Sequence, residues 1–370
     1  MPANPLTSLI LPHLTNLTPY QAGKPLEELA RELGLTDAIK LASNENPLGP
    51  SPRALAAIQE SLGSLNRYPD SHAYYLKKDL ARHLQVKPSQ LLLGNGSDEV
   101  LDLLVRALVP PGGEVVSTDH TFLMYGLLTQ AVGGVFRPVP LREMRVDLAA
   151  VARAVTGRTR LILLNNPNNP TGTVFFREEL QEFLAALPAA VTVVLDEAYI
   201  DFADDPRVPS GLDYLAEDRA LVGLRTFSKA YGLAGLRVGY GYGPSELMEC
   251  LNRLRLPFNV NRLAQVGARA ALTDTEFLAR TQTLVRQGRE EVCGALTRLG
   301  LEFVPTQANY VLIRVPRPGR EVYQAMLKQG VIVRAMDAYG LPDYIRVNMG
   351  LPEENRRFLE ALTKVLGLTG

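Results

Sequence analysis

The chain has little of what would indicate several common classes of site. It has only two cysteines, Cys250 and Cys293, on separate helical stretches, so we expect a reducing compartment and no disulfide framework. Basic and acidic residues balance at 39 each, which leaves no net charge to attract nucleic acid or an anionic membrane. The four histidines are scattered without the spacing of metal ligands, and we therefore expect no metal site.

We also expect no secretory signal and no membrane-spanning segment at the start of the sequence. The first 14 residues have no basic segment, and Pro12 interrupts their apolar stretch, which argues against a secretory signal or a membrane-spanning helix. We expect a cytoplasmic protein without membrane contact. What the chain does have is length and apolar content, because 370 residues with 46% hydrophobic and 21% charged residues suit two globular domains.

Short apolar runs alternate with amphipathic helical stretches over the first two-thirds of the chain, which predicts an α/β fold with a mostly parallel sheet between helices. The predicted strands are 90–93, 114–117, 134–139, 160–164, 191–195, 221–224 and 237–241, and the helices 98–108, 147–154 and 178–187 fall between several of them. Beyond residue 261 a long helical pattern runs to residue 299, followed by strands 310–315 and 344–348 and a helix at 352–366. We expect a large domain at 40–270 and a smaller α+β domain formed by 271–370 and an N-terminal arm, 1–39.

The segment TFSKAYGLAG (226–235) places Lys229 among small, uncharged neighbours, whereas the other seven lysines lie in ordinary solvated contexts. An ammonium in a water-poor pocket shifts toward the neutral amine, which is the form that attacks a carbonyl carbon. The hydroxyls of Thr226 and Ser228 and the guanidinium of Arg237 could receive a phosphate beside it. The segment therefore predicts a Schiff-base lysine and a phosphate-bearing aldehyde cofactor, pyridoxal phosphate. The alternative interpretation is an exposed lysine in a turn after a strand, which a Ser-Lys dipeptide alone would favour.

A carboxylate suited to the cofactor ring follows the apolar run 191–195. Asp196 ends this predicted strand, where open α/β sheets place their ligands, and it could keep the ring nitrogen protonated so that the ring withdraws electrons. Tyr199 could donate to the phenolate oxygen of the cofactor. Glu197 and Asp201 are interpreted as solvated or structural. Taken alone, Asp196 could equally be a helix cap or a surface acid.

The loop NNPNNPTG (165–172) would form a tight turn in any protein. Its functional interpretation is that Asn169 presents its amide to the phenolate oxygen, and the tightness of the turn favours a cis Asn169–Pro170 bond as a hypothesis. An aromatic face must also stack on the ring, and Phe122, after the predicted strand 114–117, is the candidate. An isolated aromatic residue is more often part of the core, so this assignment depends on the others.

The segment GNGSDE (94–99) combines a glycine turn with the start of a helix. Glycine lets the backbone approach an anion closely, and the first N–H groups of a helix attract negative charge. We assign Gly96, Ser97 and Asp98 to the cofactor phosphate. A helix simply capped by Ser97 or Asp98 is the compatible structural alternative.

Taken together, these motifs resemble the histidinol-phosphate aminotransferase family, within the class-II aminotransferases. The resemblance covers ASNENPLGP (42–50), NRYPD (66–70), GNGSDE, NNPNNPTG, DEAYIDF (196–202), TFSKAYGLAGLRVGY (226–240) and IRVNMGLPEENRRFLEAL (345–362). It implies the fold type I of pyridoxal-phosphate-dependent transferases and a homodimer with active sites at the subunit interface. It also implies roles for three groups of residues. Lys229, Asp196 and Tyr199 would be catalytic. Gly96, Ser97, Asp98, Phe122, Asn169, Thr226, Ser228, Arg237 and, from the neighbouring subunit, Tyr68 would contact the cofactor. Tyr20, Arg334 and Arg346 would bind the substrate anion.

The reaction implied is amino-group exchange between histidinol phosphate and 2-oxoglutarate, which gives imidazole-acetol phosphate and glutamate in histidine biosynthesis. An aromatic amino acid aminotransferase or a phosphothreonine decarboxylase would share the lysine, aspartate and asparagine. A transcription regulator with an aminotransferase-like domain would need an added basic DNA-binding module. We reject this alternative, because the residues before ASNENPLGP are neither basic enough nor numerous enough to form one. Two departures from the family pattern are His120, where a proline is expected, and Asn348-Met349-Gly350, where Thr-Val-Gly is commoner.

Overall fold

The computed structural model describes residues 9–20, 23–35 and 37–368. Over these residues the α-helices are α1 (Leu26–Leu33), α2 (Pro52–Ser61), α3 (Tyr74–Leu84), α4 (Ser97–Leu108), α5 (Met124–Ala131), α6 (Leu148–Arg153), α7 (Arg177–Ala186), α8 (Ser245–Leu254), α9 (Arg262–Leu272), α10 (Thr275–Arg298), α11 (Gly319–Lys328) and α12 (Pro352–Leu366). The strands are β1 (Ile39–Lys40), β2 (Leu91–Gly94), β3 (Glu114–Thr118), β4 (Val135–Val139), β5 (Thr159–Asn165), β6 (Thr192–Asp196), β7 (Leu221–Thr226), β8 (Gly239–Tyr242), β9 (Phe303–Val304), β10 (Tyr310–Arg314), β11 (Val331–Ile332), β12 (Arg334–Ala335) and β13 (Tyr344–Asn348). The start of the predicted N-terminal arm, residues 1–8, lies outside the described residues.

The seven predicted strands of the first two-thirds form one seven-stranded sheet in the order β2-β8-β7-β6-β5-β3-β4. Strands β3 to β7 pair in parallel, and β8 runs antiparallel to both of its neighbours. The prediction of a mostly parallel α/β sheet is therefore confirmed. Because parallel strands share one carboxyl edge, the residues that follow β3, β5, β6 and β7 meet along a single rim.

Apolar side chains on both faces of this sheet explain why its strands have continuous apolar sequences. Val115 and Leu163 pack into a core with α4, α5 and α8, whereas their neighbours Val116 and Leu164 pack into a second core with α6 and α7. A sheet covered by helices on both faces has no polar side, so period-two alternation is lost from its sequence. This double burial makes the sheet a rigid support for its rim.

The last part of the chain forms a second, antiparallel sheet in the order β12-β13-β10-β9. A third, two-stranded sheet pairs β1 with β11 in parallel, so the chain before residue 41 is tied to the C-terminal part. A core that includes Val322 of α11 and Phe358 of α12 covers the second sheet. Among the described helices, none combines the length and the apolar composition needed to cross a bilayer.

The structure corrects three local predictions. The helical pattern 261–299 is two helices, because Thr273 ends α9 and Asp274 caps α10 by accepting from the N–H of Phe277. The predicted strand 237–241 begins only at Gly239, since Arg237 has a left-handed backbone with φ of 56°. The cap of α4 is neither Ser97 nor Asp98.

Gly96 occupies the cap position of α4 with φ of 83° and offers no side chain to the first turn. A side chain there would also collide with Arg237, whose Nη2 would lie 2.6 Å from the added Cβ. The first N–H groups of α4 are therefore not covered by a capping side chain, which leaves them available to a ligand.

Candidate active site

A cavity of about 280 Å³ opens at the carboxyl rim of the large sheet. Its lining consists of Tyr20, Ser43, Glu45, Ser97, Asp98, Phe122, Met124, Asn165, Asn169, Asp196, Ala198, Tyr199, Thr226, Ser228, Lys229, Ala234 and Arg237. Asn165 and Asp196 are directly paired across β5 and β6, and Thr226 ends the adjacent strand β7. Most of the predicted site residues are thus brought together by strand register, although they are far apart in sequence.

Lys229 lies three residues beyond the end of β7 and is partly buried. Its Nζ donates to the carbonyl oxygen of Ser43 at 3.1 Å and lies 5.7 Å from the centre of the Tyr199 ring. Loss of hydration in the cavity, helped by the positive charge of Arg346, lowers the pKa of Lys229 from 10.5 to about 8. The neutral, nucleophilic amine is therefore much more abundant near neutral pH than in an exposed lysine.

Asp196 is almost completely buried, and its carboxylate is held by three hydrogen bonds. Tyr125 Oη donates to Oδ2 at 3.0 Å, Asn165 Nδ2 donates to Oδ2 at 3.4 Å, and the N–H of Ala198 donates to Oδ1 at 3.1 Å. Burial raises the pKa of Asp196 to about 6 even though the hydrogen bonds from Tyr125 and Ala198 oppose the shift. In the part of the chain that the structure describes, no basic side chain donates to this carboxylate, so it is well suited to a cationic ligand atom.

Tyr199 and Asn169 lie on the same cavity wall. Tyr199 Oη accepts from Asn44 Nδ2 at 2.9 Å, and burial raises the pKa of Tyr199 to about 12, so its hydroxyl stays protonated. Asn169 Oδ1 accepts from Arg346 Nη1 at 2.5 Å. The Asn169–Pro170 bond is cis, as predicted, and Asn166–Pro167 is cis as well.

Arg237, Ser228 and Thr226 line the cavity together with the first residues of α4. Arg237 Nη1 donates to Ser228 Oγ at 3.3 Å, and its Nη2 contacts Asp98 Oδ2 at 3.4 Å. Thr226 Oγ1 accepts from the N–H of Ser228 at 3.0 Å. Together with the uncapped start of α4, these groups supply a guanidinium, hydroxyls and backbone N–H groups to one small volume, which is the chemistry that binds a phosphate.

Two arginines lie opposite each other on neighbouring strands, since Arg334 of β12 pairs with Arg346 of β13. Arg346 is buried, and its guanidinium donates hydrogen bonds to the neutral oxygens of Asn169 and Ala42. Its Nε has no hydrogen-bond partner in the part of the chain that the structure describes. The Arg334 guanidinium lies over the ring of Tyr20 at 5.9 Å. Like charges that face each other across strands repel, so an anion bound beside this pair would be stabilised.

The family to which the chain belongs follows from its match to a known family model. Residues 36–362 match the model described as aminotransferase class I and II. The chain belongs to this aminotransferase family.

The relatives of this aminotransferase are similar over nearly their whole length. It is 49% identical over 361 residues to histidinol-phosphate aminotransferase 2 of Pseudomonas aeruginosa, which covers 97% of this chain and 98% of the relative. It is 50% identical over 357 residues to histidinol-phosphate aminotransferase of Desulfotalea psychrophila, which covers 96% and 94% of the two chains.

Solved structures of aminotransferases superimpose on nearly the whole chain. The crystal structure of histidinol-phosphate aminotransferase from Sinorhizobium meliloti in complex with pyridoxal-5'-phosphate superimposes with a TM-score of 0.89 at 29% identity, covering 97% of this chain and 98% of that one. A Thermus thermophilus aspartate aminotransferase single mutant superimposes with a TM-score of 0.84 at 25% identity, covering 96% and 99%. The aminotransferase therefore has the aspartate-aminotransferase-like fold, as the sequence motifs predict.

Some predicted site residues are not among those that line the cavity. Gly96 and Arg346 lie next to lining residues, and Arg334 lines a neighbouring pocket of about 260 Å³. Tyr68 is 78% exposed and stacks on Phe258 with ring centres 4.5 Å apart. Tyr68 is thus the predicted site residue that the structure leaves on the outer surface of its own chain.

Sequence reasoning missed several groups that this aminotransferase places at the cavity. Tyr125 and Asn165 hold the Asp196 carboxylate, and Asn44 holds the Tyr199 hydroxyl. Asn165 lies in the loop NNPNNPTG and Asn44 in the segment ASNENPLGP, so for these two the available signal was a polar residue within a motif. Tyr125 lies three residues after Phe122, and none of the motifs that predict the site includes it. Glu197, interpreted from the sequence as solvated or structural, is buried. Its Oε2 accepts a hydrogen bond from Arg225 Nε at 2.8 Å, which is a structural role.

His120, one of the two departures, joins the two sheets beside the site. Its Nδ1 lies 2.7 Å from the carbonyl oxygen of Tyr339, which precedes β13. Asn348, in the other departure, accepts from the N–H of Asn44 at 3.1 Å through its Oδ1. Both departures therefore make cross-connections next to the cavity. Over the described residues no cluster of three or more metal-ligating side chains occurs.

Proposed function

We propose that the protein is a pyridoxal-phosphate-dependent histidinol-phosphate aminotransferase, which transfers an amino group between histidinol phosphate and 2-oxoglutarate in histidine biosynthesis. The observation that carries this function is near-full-length similarity, at about half of all positions, to aminotransferases named for this substrate. The paired Arg334 and Arg346 beside the cavity support a substrate with a remote anion. An aromatic amino acid aminotransferase or a phosphothreonine decarboxylase, the alternatives from sequence, is not favoured.

The residues present fit pyridoxal phosphate. Among the described residues, the buried Asp196 carboxylate has no cationic hydrogen-bond partner, and it lines the same cavity as the Arg237 guanidinium, the hydroxyls of Thr226 and Ser228 and the first residues of α4. We assign the phosphate to Gly96, Ser97, Asp98, Thr226, Ser228 and Arg237, the ring nitrogen to Asp196, the phenolate oxygen to Asn169 and Tyr199, and the ring face to Phe122. When bound, the cofactor supplies a carbonyl group for covalent attachment and a ring that withdraws electrons from the reacting carbon.

The chain supplies a base and an electrostatic partner for this chemistry. Lys229 Nζ, with its pKa lowered to about 8, can take and return a proton near neutral pH. The Asp196 carboxylate, held by Tyr125 and Asn165, stabilises positive charge at the ring nitrogen. Both groups are buried enough for their charges to act in a poorly hydrated space.

Recognition of the substrate should depend mainly on its phosphate rather than on its imidazole. Both amino-group donors carry an anion remote from the reacting carbon, and an arginine can bind a phosphate or a carboxylate with two parallel hydrogen bonds. We assign this role to Arg346 and Arg334, with Tyr20 beside them.

Three charge-assisted donors, at about 1.5–3 kcal/mol each, would favour histidinol phosphate over free histidinol by roughly a thousandfold or more in kcat/KM. Steady-state turnover with 2-oxoglutarate as acceptor measures this preference, with phenylalanine as a third substrate. Equal turnover of free histidinol or phenylalanine would contradict the substrate assignment but leave the aminotransferase activity intact.

Substitution of the anion-binding residues should separate their contributions. Arg346→Ala is expected to lower kcat/KM for both histidinol phosphate and glutamate by about a hundredfold, the effect of losing a two-pronged contact to either anion. Tyr20→Phe should lower mainly the value for histidinol phosphate, by about tenfold. Arg314→Ala is the matched control, because Arg314 belongs to the same sheet but forms an exposed ion pair with Glu302. A loss confined to one substrate in Arg346→Ala contradicts the shared anion site.

We also propose a homodimer in which Tyr68 reaches the cofactor phosphate of the partner subunit. Tyr68 stacks on Phe258, which is also exposed, and large apolar side chains near Tyr68 in the sequence are exposed as well, namely Leu55, Leu62, Leu65, Tyr74 and Tyr75. An apolar surface of this kind indicates a protein–protein interface. Tyr68 does not line the cavity of its own chain, and a two-fold axis would allow it to line the other.

A mixed dimer of Tyr68→Phe and Lys229→Ala chains tests this arrangement. If Tyr68 acts in trans, one site has Lys229 from the first chain and an intact Tyr68 from the second, and its activity equals that of one wild-type site. If Tyr68 acts within its own chain, the site that keeps Lys229 loses the tyrosine, and activity falls by about tenfold or more. Tyr74→Phe in place of Tyr68→Phe is the matched control, since Tyr74 is exposed on the same surface.

The division into domains and the location follow from the same proposal. We infer a large domain at 40–270 that carries the cofactor and a small domain formed by 1–39 and 271–370 that carries Arg334 and Arg346. The pairing of β1 with β11 supports the assignment of the arm to the small domain. A cytoplasmic location suits an enzyme of amino acid biosynthesis.

A further inference from the structure

A short strap, defined as residues 41–46, passes between the second sheet and the cavity. Its first residue is fixed from both sides, because the N–H of Leu41 donates to Ile332 at 2.8 Å and its carbonyl oxygen accepts from the N–H of Asn348 at 3.0 Å. The next three residues each contact one group of the proposed active site. Strap geometry is therefore coupled directly to the site.

The three contacts differ in kind. The carbonyl oxygens of Ala42 and Ser43 accept from Arg346 Nη2 at 3.2 Å and from Lys229 Nζ at 3.1 Å. Asn44 is the strap residue that reaches a site residue through its side chain, with Nδ2 donating to Tyr199 Oη at 2.9 Å. A side-chain contact can be changed by substitution without altering the backbone, so Asn44 is the position at which the role of the strap can be tested.

Asn44 is held rigidly for this contact. It is 2% exposed, its N–H donates to Asn348 Oδ1 at 3.1 Å, and its carbonyl oxygen accepts from Asn309 Nδ2 at 3.2 Å. Its φ of 56° lies in the left-handed region, which asparagine tolerates better than most residues. The backbone conformation and both backbone hydrogen bonds thus fix the position of the side chain. Asn44 Oδ1 has no hydrogen-bond partner among the described residues, so the contact of Nδ2 with Tyr199 Oη is what orients the amide.

The direction of this hydrogen bond determines where the hydroxyl proton of Tyr199 can lie. A phenolic hydroxyl has one proton, and an amide nitrogen only donates. Because Asn44 Nδ2 donates to Tyr199 Oη, the hydroxyl proton of Tyr199 cannot point at Asn44 Nδ2 and must point to another acceptor. Tyr199 lines the cavity, so a ligand oxygen there is the natural acceptor.

We propose that Asn44 is a positioning residue whose amide holds the Tyr199 oxygen and directs the Tyr199 hydroxyl proton into the cavity, toward the phenolate oxygen of the cofactor. This inference rests on the proposed function, since it requires pyridoxal phosphate in the cavity. It assigns to the ASNENPLGP segment a role in aiming a proton donor, in addition to its role in folding.

The test is the pH at which the visible absorption band of the bound cofactor titrates. A proton donor to the phenolate oxygen stabilises the deprotonated form and lowers this pH. Tyr199→Phe is expected to raise it by about one to two units, the effect of one charge-assisted hydrogen bond. Asn44→Gly keeps the backbone conformation but removes the amide, and it is expected to raise the pH by about half a unit or more.

A double-substitution cycle distinguishes positioning from a general loosening of the site. If Asn44 acts through Tyr199, Asn44→Gly produces no further shift when Tyr199→Phe is already present. Equal shifts with and without Tyr199, or no shift in Asn44→Gly alone, would overturn the proposal. Asn46→Ala is the matched control. Asn46 lies in the same strap, but its side-chain amide donates to Ala230 and Thr281 and not to Tyr199. The cofactor band of this variant should titrate at the same pH as in wild type.

A second variant keeps the test valid if Asn44→Gly does not fold. Asn44→Asp retains the size and the left-handed tolerance of asparagine but presents a carboxylate, which accepts from the Tyr199 hydroxyl instead of donating to it. Its titration should therefore rise at least as far as that of Tyr199→Phe, and an unchanged titration overturns the proposal. Asn348→Asp controls for the added charge. Failure of the wild-type protein to bind pyridoxal phosphate would contradict the proposed function itself, which separates the two failures.

Discussion

Lys229→Ala is expected to lower turnover by about four orders of magnitude or more, because both the covalent attachment and the proton transfers are lost. The variant should still bind pyridoxal phosphate, since the corner formed by Arg237, Ser228 and the start of α4 remains. Turnover with histidinol phosphate and 2-oxoglutarate measures the loss, and the absorbance of the pyridoxal phosphate released on denaturation measures the retained cofactor. Lys87→Ala, which removes an exposed lysine paired with Glu217, should behave as wild type.

Chemical trapping identifies the same lysine independently. Borohydride reduction of the wild-type protein should attach the cofactor to one peptide, and mass spectrometry should place it at Lys229. Attachment at any of the other seven lysines contradicts the assignment.

The lowered pKa of Lys229 predicts how cofactor capture depends on pH. With a pKa of about 8 instead of 10.5, the neutral amine at pH 7 is about 300 times more abundant than in an exposed lysine. The rate at which cofactor-free protein captures pyridoxal phosphate should rise about tenfold per pH unit up to about pH 8 and then level off. A rate that continues to rise toward pH 10 would show that the amine is hydrated and not perturbed.

Asp196→Asn is expected to lower kcat by about a thousandfold or more, because the ring nitrogen loses the carboxylate that keeps it protonated. The fold should remain, since the amide can still accept from the N–H of Ala198 and the Tyr125 hydroxyl can turn to accept. Turnover and the melting temperature of the two proteins separate these effects.

Asp201→Asn provides the matched control for Asp196→Asn. Asp201 lies five residues further along the same segment but is not among the residues that line the cavity. Its substitution should leave kcat within about twofold of wild type, because the half-buried Asp201 side chain does not line the cavity. If Asp196→Asn also retained activity within about tenfold, another acid would have to hold the ring nitrogen.

Local patterns were enough to predict the large sheet and most of the proposed site. Asp196 and Thr226 end short apolar strands and Lys229 follows one of them, and the carboxyl ends of parallel strands meet at one rim. Strand identity and chain order therefore imply proximity without any knowledge of distances. The same reasoning holds for Asn169 and for the glycine turn before α4.

Local patterns could not show which partner each of these residues has. Tyr125 and Asn165 hold Asp196 from positions 71 and 31 residues away, and no sequence period connects them. The helical pattern at 261–299 likewise hid the break at Asp274, because apolar spacing continues across it while the cap depends on a hydrogen bond to Phe277.

The sequence by itself thus determined the fold class, the family and the residues that end the strands, because these depend on short-range periodicity and motif order. Only the tertiary structure decided the opposition of Arg334 and Arg346, the hold of Asn44 on Tyr199 and the exposure of Tyr68. The first depends on the register of two strands, the second on a strap and a sheet rim that are 155 residues apart, and the third on which surface remains uncovered. Such relations arise when distant segments pack, so they are properties of the folded chain and not of any local stretch of it.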